Sequence, residues 1–103
     1  MADTVLATFQ VKAGMVDRLS QLLDRHFATI TRLAFGTGPK PVRLLREETT
    51  GAVLYEVFDW TDGGPEKAHD HLEVKALWAE IDACCETRGG KPGLDFPHVK
   101  RLA

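Results

Sequence analysis

The feature that most constrains the fold of this sequence is a nine-residue segment, 52–60, that is apolar along both of its faces. Side chains of a β-strand alternate between the two faces of a sheet. One face of the segment carries Val53, Tyr55 and Val57. The other face carries Leu54, Glu56, Phe58 and Trp60. Because a strand with large side chains on both faces is covered from both sides, the sequence predicts two layers of cover for one sheet.

Five further segments have the periodicity of strands or helices. The other predicted strands are 4–11, 42–47 and 94–102. The predicted helices run over 15–33 and 65–87. The Gly-Pro-rich stretch 36–39 is predicted to be a loop, and 48–51 a hairpin turn. Pro97 lacks a backbone donor, so the last strand is predicted to lie at a sheet edge or to carry a bulge.

The order strand–helix–strand–strand–helix–strand is that of the ferredoxin-like split fold, an antiparallel four-stranded sheet with two helices on one face. A length of 103 residues fits one domain, so 1–103 is predicted to be a single α+β domain. The uncovered face is expected to carry Val5, Phe9, Val11, Val53, Tyr55 and Val57. Because an exposed apolar face favours association, we expect a homodimer in which two sheets pack together as a dimeric α/β barrel.

Charge and composition argue against several classes of protein. The 13 basic and 15 acidic residues are interleaved and give a net charge of −2, so no basic nucleic-acid surface is expected. No run of 18 apolar residues predicts a membrane span, and residues 1–4 do not resemble a secretory signal. A disulfide between the adjacent Cys84 and Cys85 would close a strained ring. Reduced thiols are therefore expected, which favours a cytoplasmic location.

Glu56 is the polar residue on the strand face that is expected to contact the helices, between Leu54 and Phe58. A buried carboxylate without a partner is costly, so this one must be paired, protonated or close to water. It is either a polar anchor or general base in a pocket between sheet and helices, or it is bonded to an Arg or a backbone group at the sheet edge. The residues alone leave both interpretations open.

His26 and His71 interrupt the apolar stripes of the two predicted helices. Since both helices cover one sheet face, both imidazoles are candidates for the same cavity as Glu56, where a carboxylate partner would raise the pKa of a histidine. Each is equally explained as a satisfied core residue. His69 and His71 lie two apart and would diverge by about 200° on a helix, so no metal site is predicted and His69 is expected in solvent.

Trp60 and Trp78 each have two interpretations as well. They either wall a pocket for a flat ligand or simply fill the core.

Two short motifs resemble the antibiotic-biosynthesis-monooxygenase-like family of dimeric α/β barrels: Glu56-x-Phe58 at the end of a strand, and His71-Leu72 before an apolar helical stretch. The opening strand, Lys-Ala-Gly turn and helix also look similar, so the resemblance spans nearly the whole chain. It implies oxygenases that act on phenols, quinols or anthrone-like compounds without metal or flavin. Glu56 or His71 would then orient or deprotonate the substrate. Its ring would lie between Phe58, Trp60 and Trp78.

The heme-degrading branch of that family carries an Asn on the first strand and a His late in the second helix. This chain has Thr8 and the triplet 83–85 (Ala-Cys-Cys) near these positions. The resemblance therefore implies no heme and no other cofactor. Two functions stay open: a cofactor-independent monooxygenase acting on a small aromatic substrate, and a non-catalytic module that dimerises or binds a small hydrophobic or aromatic molecule.

Overall fold

The computed structural model describes residues 3–102 and confirms an α+β fold built on one antiparallel sheet. The strands are β1 Asp3–Val11, β2 Gly36–Glu48, β3 Gly51–Trp60, β4 Leu94–Asp95 and β5 His98–Val99. The helices are α1 Val16–Arg32, α2 Gly64–His69 and α3 Leu72–Ala83. Strand order β2-β3-β1-β4, with β5 also beside β1, is consistent with a ferredoxin-like arrangement. Within residues 3–102, no helix is long and apolar enough to cross a bilayer.

The central strand β3 pairs along its length with β1 on one side and with β2 on the other. The predicted hairpin is confirmed, since Glu48 pairs with Gly51 across a two-residue turn. Gly51 has φ of 142°, and a Cβ there would lie 2.5 Å from the carbonyl oxygen of Val11. A residue with a side chain would therefore push β1 and β3 apart at this end of the sheet.

The stretch 36–39 is not the predicted loop but the first part of β2. Gly36 pairs with Trp60, and the next regular pairing after Thr37 is Val42 with Val57. Between those pairs β2 uses five residue steps where β3 uses two, which makes a bulge. The Gly-Pro composition was misleading because an edge strand tolerates prolines, whose missing N–H groups need not bond to a neighbour.

The predicted second helix, 65–87, is in fact two helices, α2 and α3, separated at Asp70 and His71. His71 has extended backbone angles, φ −101° and ψ 120°, and is the N-cap of α3. The break changes which side chains are covered: Leu72 is 81% exposed, whereas Val74 is buried. Asp and His are weak helix formers, and that local preference prevails at this point of the chain.

The C-terminal segment follows β1 in two short pieces. Leu94 pairs with Phe9, and His98 pairs with Val5. Between them the N–H of Leu6 donates to the carbonyl oxygen of Pro97 over 3.0 Å. The prediction that this segment lies at a sheet edge is confirmed, although it forms two short strands and not one.

The register corrects the expected composition of the two sheet faces. Val53 lies opposite Gln10, Tyr55 opposite Thr8 and Val57 opposite Leu6. Because cross-strand neighbours share a face, the odd-numbered residues of β1 lie on the helix-side face. The expectation that Val5, Phe9 and Val11 line the uncovered face is wrong. A shift of one residue exchanges the faces of a strand, and the polar Thr8 and Gln10 were the available signal.

We call the two surfaces of the sheet the helix-side face and the outer face. Side chains of the helix-side face pack with α1 and α3 in one hydrophobic core, which includes Val5, Phe9, Leu22, Leu54, Val74 and Ile81. The outer face exposes apolar side chains at the edge strand, where Val42 is 56% and Leu44 63% exposed.

Candidate functional site

A cavity of about 260 Å³ lies between the helix-side face of the sheet and the helices. Its wall is mostly apolar and includes Val5, Ala7, Phe9, Leu23, Ile81 and Leu94. Pockets for drug-sized ligands span about 300 to 1,000 Å³, so this one suits a smaller molecule.

Five of the six predicted site residues line this cavity: Glu56, Phe58, Trp60, His26 and Trp78. The three from β3 are two residues apart and therefore project from the same face of the strand. His26 comes from α1 and Trp78 from α3, so both helices contribute to the wall. The sixth predicted residue, His71, lies elsewhere.

Glu56 is only 2% exposed and is held by an arginine of the edge strand. Arg43 Nε donates to Glu56 Oε2 over 2.6 Å, and the same guanidinium donates to Asp24 Oδ1 over 2.5 Å. Burial raises the pKa of Glu56, and the hydrogen bond and charge of Arg43 offset part of that rise. The interpretation that Glu56 bonds to an arginine at the sheet edge is confirmed, and the same carboxylate also lines the cavity.

The second carboxylate oxygen of Glu56, Oε1, accepts no hydrogen bond from the part of the chain that the structure describes. It is therefore an acceptor that a ligand's hydroxyl group can use.

His26 is buried in the wall, and its ring is fixed by an indole. Trp78 Nε1–H donates to His26 Nε2 over 2.9 Å. An indole nitrogen can only donate, so Nε2 accepts and the proton of the neutral ring is on Nδ1. Burial, with a smaller contribution from the charge of Arg43, lowers the pKa of His26 to about 4. The pKa rise expected from a carboxylate partner does not occur, because the partner of His26 is the indole of Trp78 and burial disfavours the charged ring.

His71 does not reach the cavity, since the helix break places it at the start of α3. Its ring lies edge-on to Phe35, with centroids 5.8 Å apart. Its Nδ1 is buried without a hydrogen-bond partner among residues 3–102. His69, expected in solvent, is exposed but lines the cavity beside Trp78, 4.9 Å between ring centroids. The argument against the His69–His71 pair assumed one continuous helix, which the structure does not have.

The C-terminal segment supplies wall residues that the sequence reasoning missed. Phe96 lines the cavity and packs edge-on to Phe9. His98 also lines it, and its Nδ1 lies 2.8 Å from Asp3 Oδ1. The signal was present in the sequence, because Leu94, Phe96 and His98 alternate along the predicted edge strand and so share a face.

Metal binding and thiol chemistry have little basis in the described residues. Searching residues 3–102 finds no group of three His, Cys, Asp or Glu side chains suited to a metal ion. Cys84 and Cys85 are free and buried, and burial raises the pKa of Cys85 to about 12. A thiol of that acidity is protonated at neutral pH and is a poor nucleophile.

Comparison with known proteins informs the fold. No protein-family model matches the chain, and no relative is found among curated proteins. The crystal structure of a conserved protein from Methanosarcina mazei Go1 is similar, with a TM-score of 0.71 and 14% sequence identity. The alignment covers 98% of this chain and 93% of that one. At this identity the likeness concerns the fold alone.

Proposed function

We propose that this protein binds a small aromatic molecule in the cavity and oxygenates it without a metal or organic cofactor. The observation that carries the proposal is the composition of the cavity wall, where Phe58, Trp60 and Trp78 surround two buried polar side chains, Glu56 and His26. The resemblance to the antibiotic-biosynthesis-monooxygenase-like family adds the type of reaction.

The aromatic wall suits a flat ligand. Phe58 and Trp60 lie edge-to-face, with ring centroids 5.2 Å apart, and His26 is edge-on to each of them at 6.0 Å. These contacts fix the rings in place, so a ligand meets a rigid apolar surface and little conformational entropy is lost on binding.

The two polar side chains suit a substrate that carries oxygen and becomes anionic. The Nδ1–H of His26 is a neutral donor for a carbonyl or phenolate oxygen, and Glu56 Oε1 is an acceptor for a hydroxyl group. A donor held in a dry site stabilises developing negative charge more strongly than water does. An enol or phenol would therefore lose its proton more readily in this cavity than in solution.

The chemistry balances without a cofactor. An anthrone loses a proton from its methylene carbon, and the resulting carbanion gives its electrons to molecular oxygen. One oxygen atom then forms the new carbonyl group of the quinone, and the other leaves as water with the two hydrogens that the methylene carried. The substrate supplies all four electrons, so the protein needs only to bind, deprotonate and exclude bulk water.

We further propose that a second copy of the chain covers the outer face and completes a dimeric α/β barrel. The support is the row of apolar side chains across that face, from the exposed Val42 and Leu44 of β2 to the partly buried Tyr55 and Val57 of β3 and Leu6 of β1. Apolar patches of this kind on a sheet mark sites of association.

A non-catalytic ligand-binding module is the second candidate. The ion pair between Arg43 and Glu56 favours it, since it occupies one carboxylate oxygen and makes Glu56 a weaker base.

Oxygen consumption with a panel of anthrones and quinols separates the candidates. Uptake by the wild-type protein that is lost in Glu56→Gln and His26→Gln supports the oxygenase. His71→Asn introduces a favourable N-cap residue and removes an imidazole outside the cavity, so it is the matched control and is expected to retain uptake. Quenching of tryptophan fluorescence without uptake would favour the binding module. If no compound of the panel causes either quenching or oxygen uptake, both candidate functions are contradicted.

Light scattering after size-exclusion chromatography tests the dimer. The wild-type protein is expected to have twice the mass of the chain at micromolar concentration, and Leu44→Glu the mass of one chain. Leu72→Glu is the control, because Leu72 is 81% exposed on α3, away from the outer face. A monomeric wild-type protein would refute this second proposal.

A further inference from the structure

His98 occupies the rim of the cavity on the helix-side face. It pairs with Val5 of β1, which in turn pairs with Phe58 of β3, so these three side chains form one row across the sheet. Its side chain lines the cavity and is 58% exposed. An imidazole in this position contacts both a bound molecule and bulk water, so a proton that it takes from a ligand can pass on to the solvent.

One carboxylate sets the orientation of this imidazole. Asp3 lies two residues before Val5 on the same strand face, diagonal to His98, and its Oδ1 is 2.8 Å from His98 Nδ1. An ionised carboxylate can only accept a hydrogen bond, so Nδ1 carries the proton of the neutral ring. The lone pair is then on Nε2, which is the arrangement that prepares a histidine to act as a base.

The other candidate bases at the cavity are less well arranged. His26 uses its Nε2 lone pair to accept from Trp78, and Glu56 shares its charge with Arg43. His69 makes no hydrogen bond or salt bridge to any described residue, so nothing fixes which of its nitrogens bears the proton.

We propose that His98, oriented by Asp3, is the general base that deprotonates the ligand in this cavity, an assignment that rests on the proposed function. The C–H or O–H bond of the substrate breaks, the proton moves to Nε2, and the electron pair stays on the substrate as an enolate or phenolate. Asp3 is the positioning residue, since its carboxylate holds the ring and stabilises the imidazolium that forms. Molecular oxygen then reacts with the anion as in the proposed oxygenation.

Anaerobic hydrogen–deuterium exchange isolates the proton transfer from the oxidation. Anthrone is incubated with the protein in D₂O under argon, and deuterium at its methylene carbon is followed by NMR. We expect exchange catalysed by the wild-type protein to fall about 100- to 10,000-fold in His98→Gln, the usual contribution of a general base. Asp3→Asn, which retains His98, is expected to cause a smaller loss. His71→Asn and Asp95→Asn, which alter residues away from the cavity, are the matched controls and should exchange at the wild-type rate.

Long-range proton–nitrogen correlation spectra of His98 give a second readout that needs no ligand. Wild-type protein should show the Nδ1–H form, and Asp3→Asn a mixture of both forms. An Nε2–H ring in the wild-type protein overturns the assignment, as does exchange that persists in His98→Gln or is lost only in His69→Gln. If the wild-type protein binds anthrone and catalyses its exchange, and His98→Gln loses that exchange, but no oxygen is consumed in air, the oxygenase proposal fails while the base assignment stands. If anthrone does not bind, the proposed function and the base that rests on it fail together.

Discussion

The two faces of the sheet differ in how they hold charge, and the edge strand β2 shows the difference within four residues. On the helix-side face, Arg43 bonds to Glu56, whose side chain is 3% exposed, over 2.6 Å. On the outer face, Arg46 lies 3.4 Å from Glu48, and these side chains are 58% and 34% exposed. The first pair is largely covered, with the Arg43 side chain 22% exposed, whereas the second pair is open to water. The same pair of residue types is therefore a partly buried ion pair beside the cavity on one face and a loose surface contact on the other.

The apolar side chains show the same contrast. Val5 on the helix-side face is 1% exposed, whereas Val42 on the outer face is 56% exposed in the single chain. The position of a strand in the sheet matters as well as its face, since Val53 of β3 is 1% exposed on the outer face and Leu45 of β2 is 47% exposed on the helix-side face.

The largest expected effect is that of Arg43→Met. Removing the guanidinium leaves the buried Glu56 carboxylate without its partner, which costs about 3 to 5 kcal/mol of unfolding free energy at neutral pH. Burial already raises the pKa of Glu56, so the folded variant takes up a proton more readily than the unfolded chain does. The loss should therefore shrink as the pH falls towards 4.5, the ordinary pKa of this group.

Urea unfolding at several pH values measures this effect, with Arg46→Met as the control on the outer face. An exposed pair contributes about 0 to 1 kcal/mol, so the control should unfold almost like the wild-type protein. Equal costs for the two variants would mean that the helix-side face is no drier than the outer face.

His26 makes the covered face sensitive to acid. Its pKa is about 4 in the folded protein against 6.5 ordinarily, so between these values the unfolded chain binds more protons. The neutral His26 ring makes its full contribution to the unfolding free energy above pH 6.5, and this contribution is lost as the pH falls towards 4. The shift corresponds to about 3 kcal/mol. In His26→Gln, whose amide oxygen can still accept from Trp78, this part of the acid loss should be absent. Thermal unfolding from pH 4 to 7 tests it, and an unchanged slope in the variant would assign the acid sensitivity elsewhere.

The smallest effects come from matching Val→Thr substitutions on the two faces. Val5→Thr buries a hydroxyl among apolar groups and is expected to cost about 1 to 3 kcal/mol. Val42→Thr should change stability by less than about 0.5 kcal/mol in dilute protein. If a second copy covers the outer face, the stability lost in Val42→Thr should rise with protein concentration. Denaturation at several protein concentrations would show this rise. A concentration-independent cost equal to that of Val5→Thr would abolish the distinction between the faces.

Much of the cavity could be predicted because alternation along a strand is a local property. The pattern of β3 placed Glu56, Phe58 and Trp60 on one face, and the helix periodicity added His26 and Trp78. His71 was misplaced because a helix break depends on a balance of weak local preferences against tertiary contacts. The C-terminal wall was missed although Leu94, Phe96 and His98 alternate, because Pro97 interrupts the segment and leaves two strands of only two residues each.

The sequence by itself determined the α+β class, the two-faced central strand and the aromatic residues that surround Glu56, since each depends on short-range periodicity. Only the tertiary structure decided the partner of Glu56, the tautomer of His26 and the meeting of Asp3 with His98 across 95 residues of chain. Those facts depend on strand register and on which surfaces exclude water. Both are set by packing between segments that are distant in the sequence.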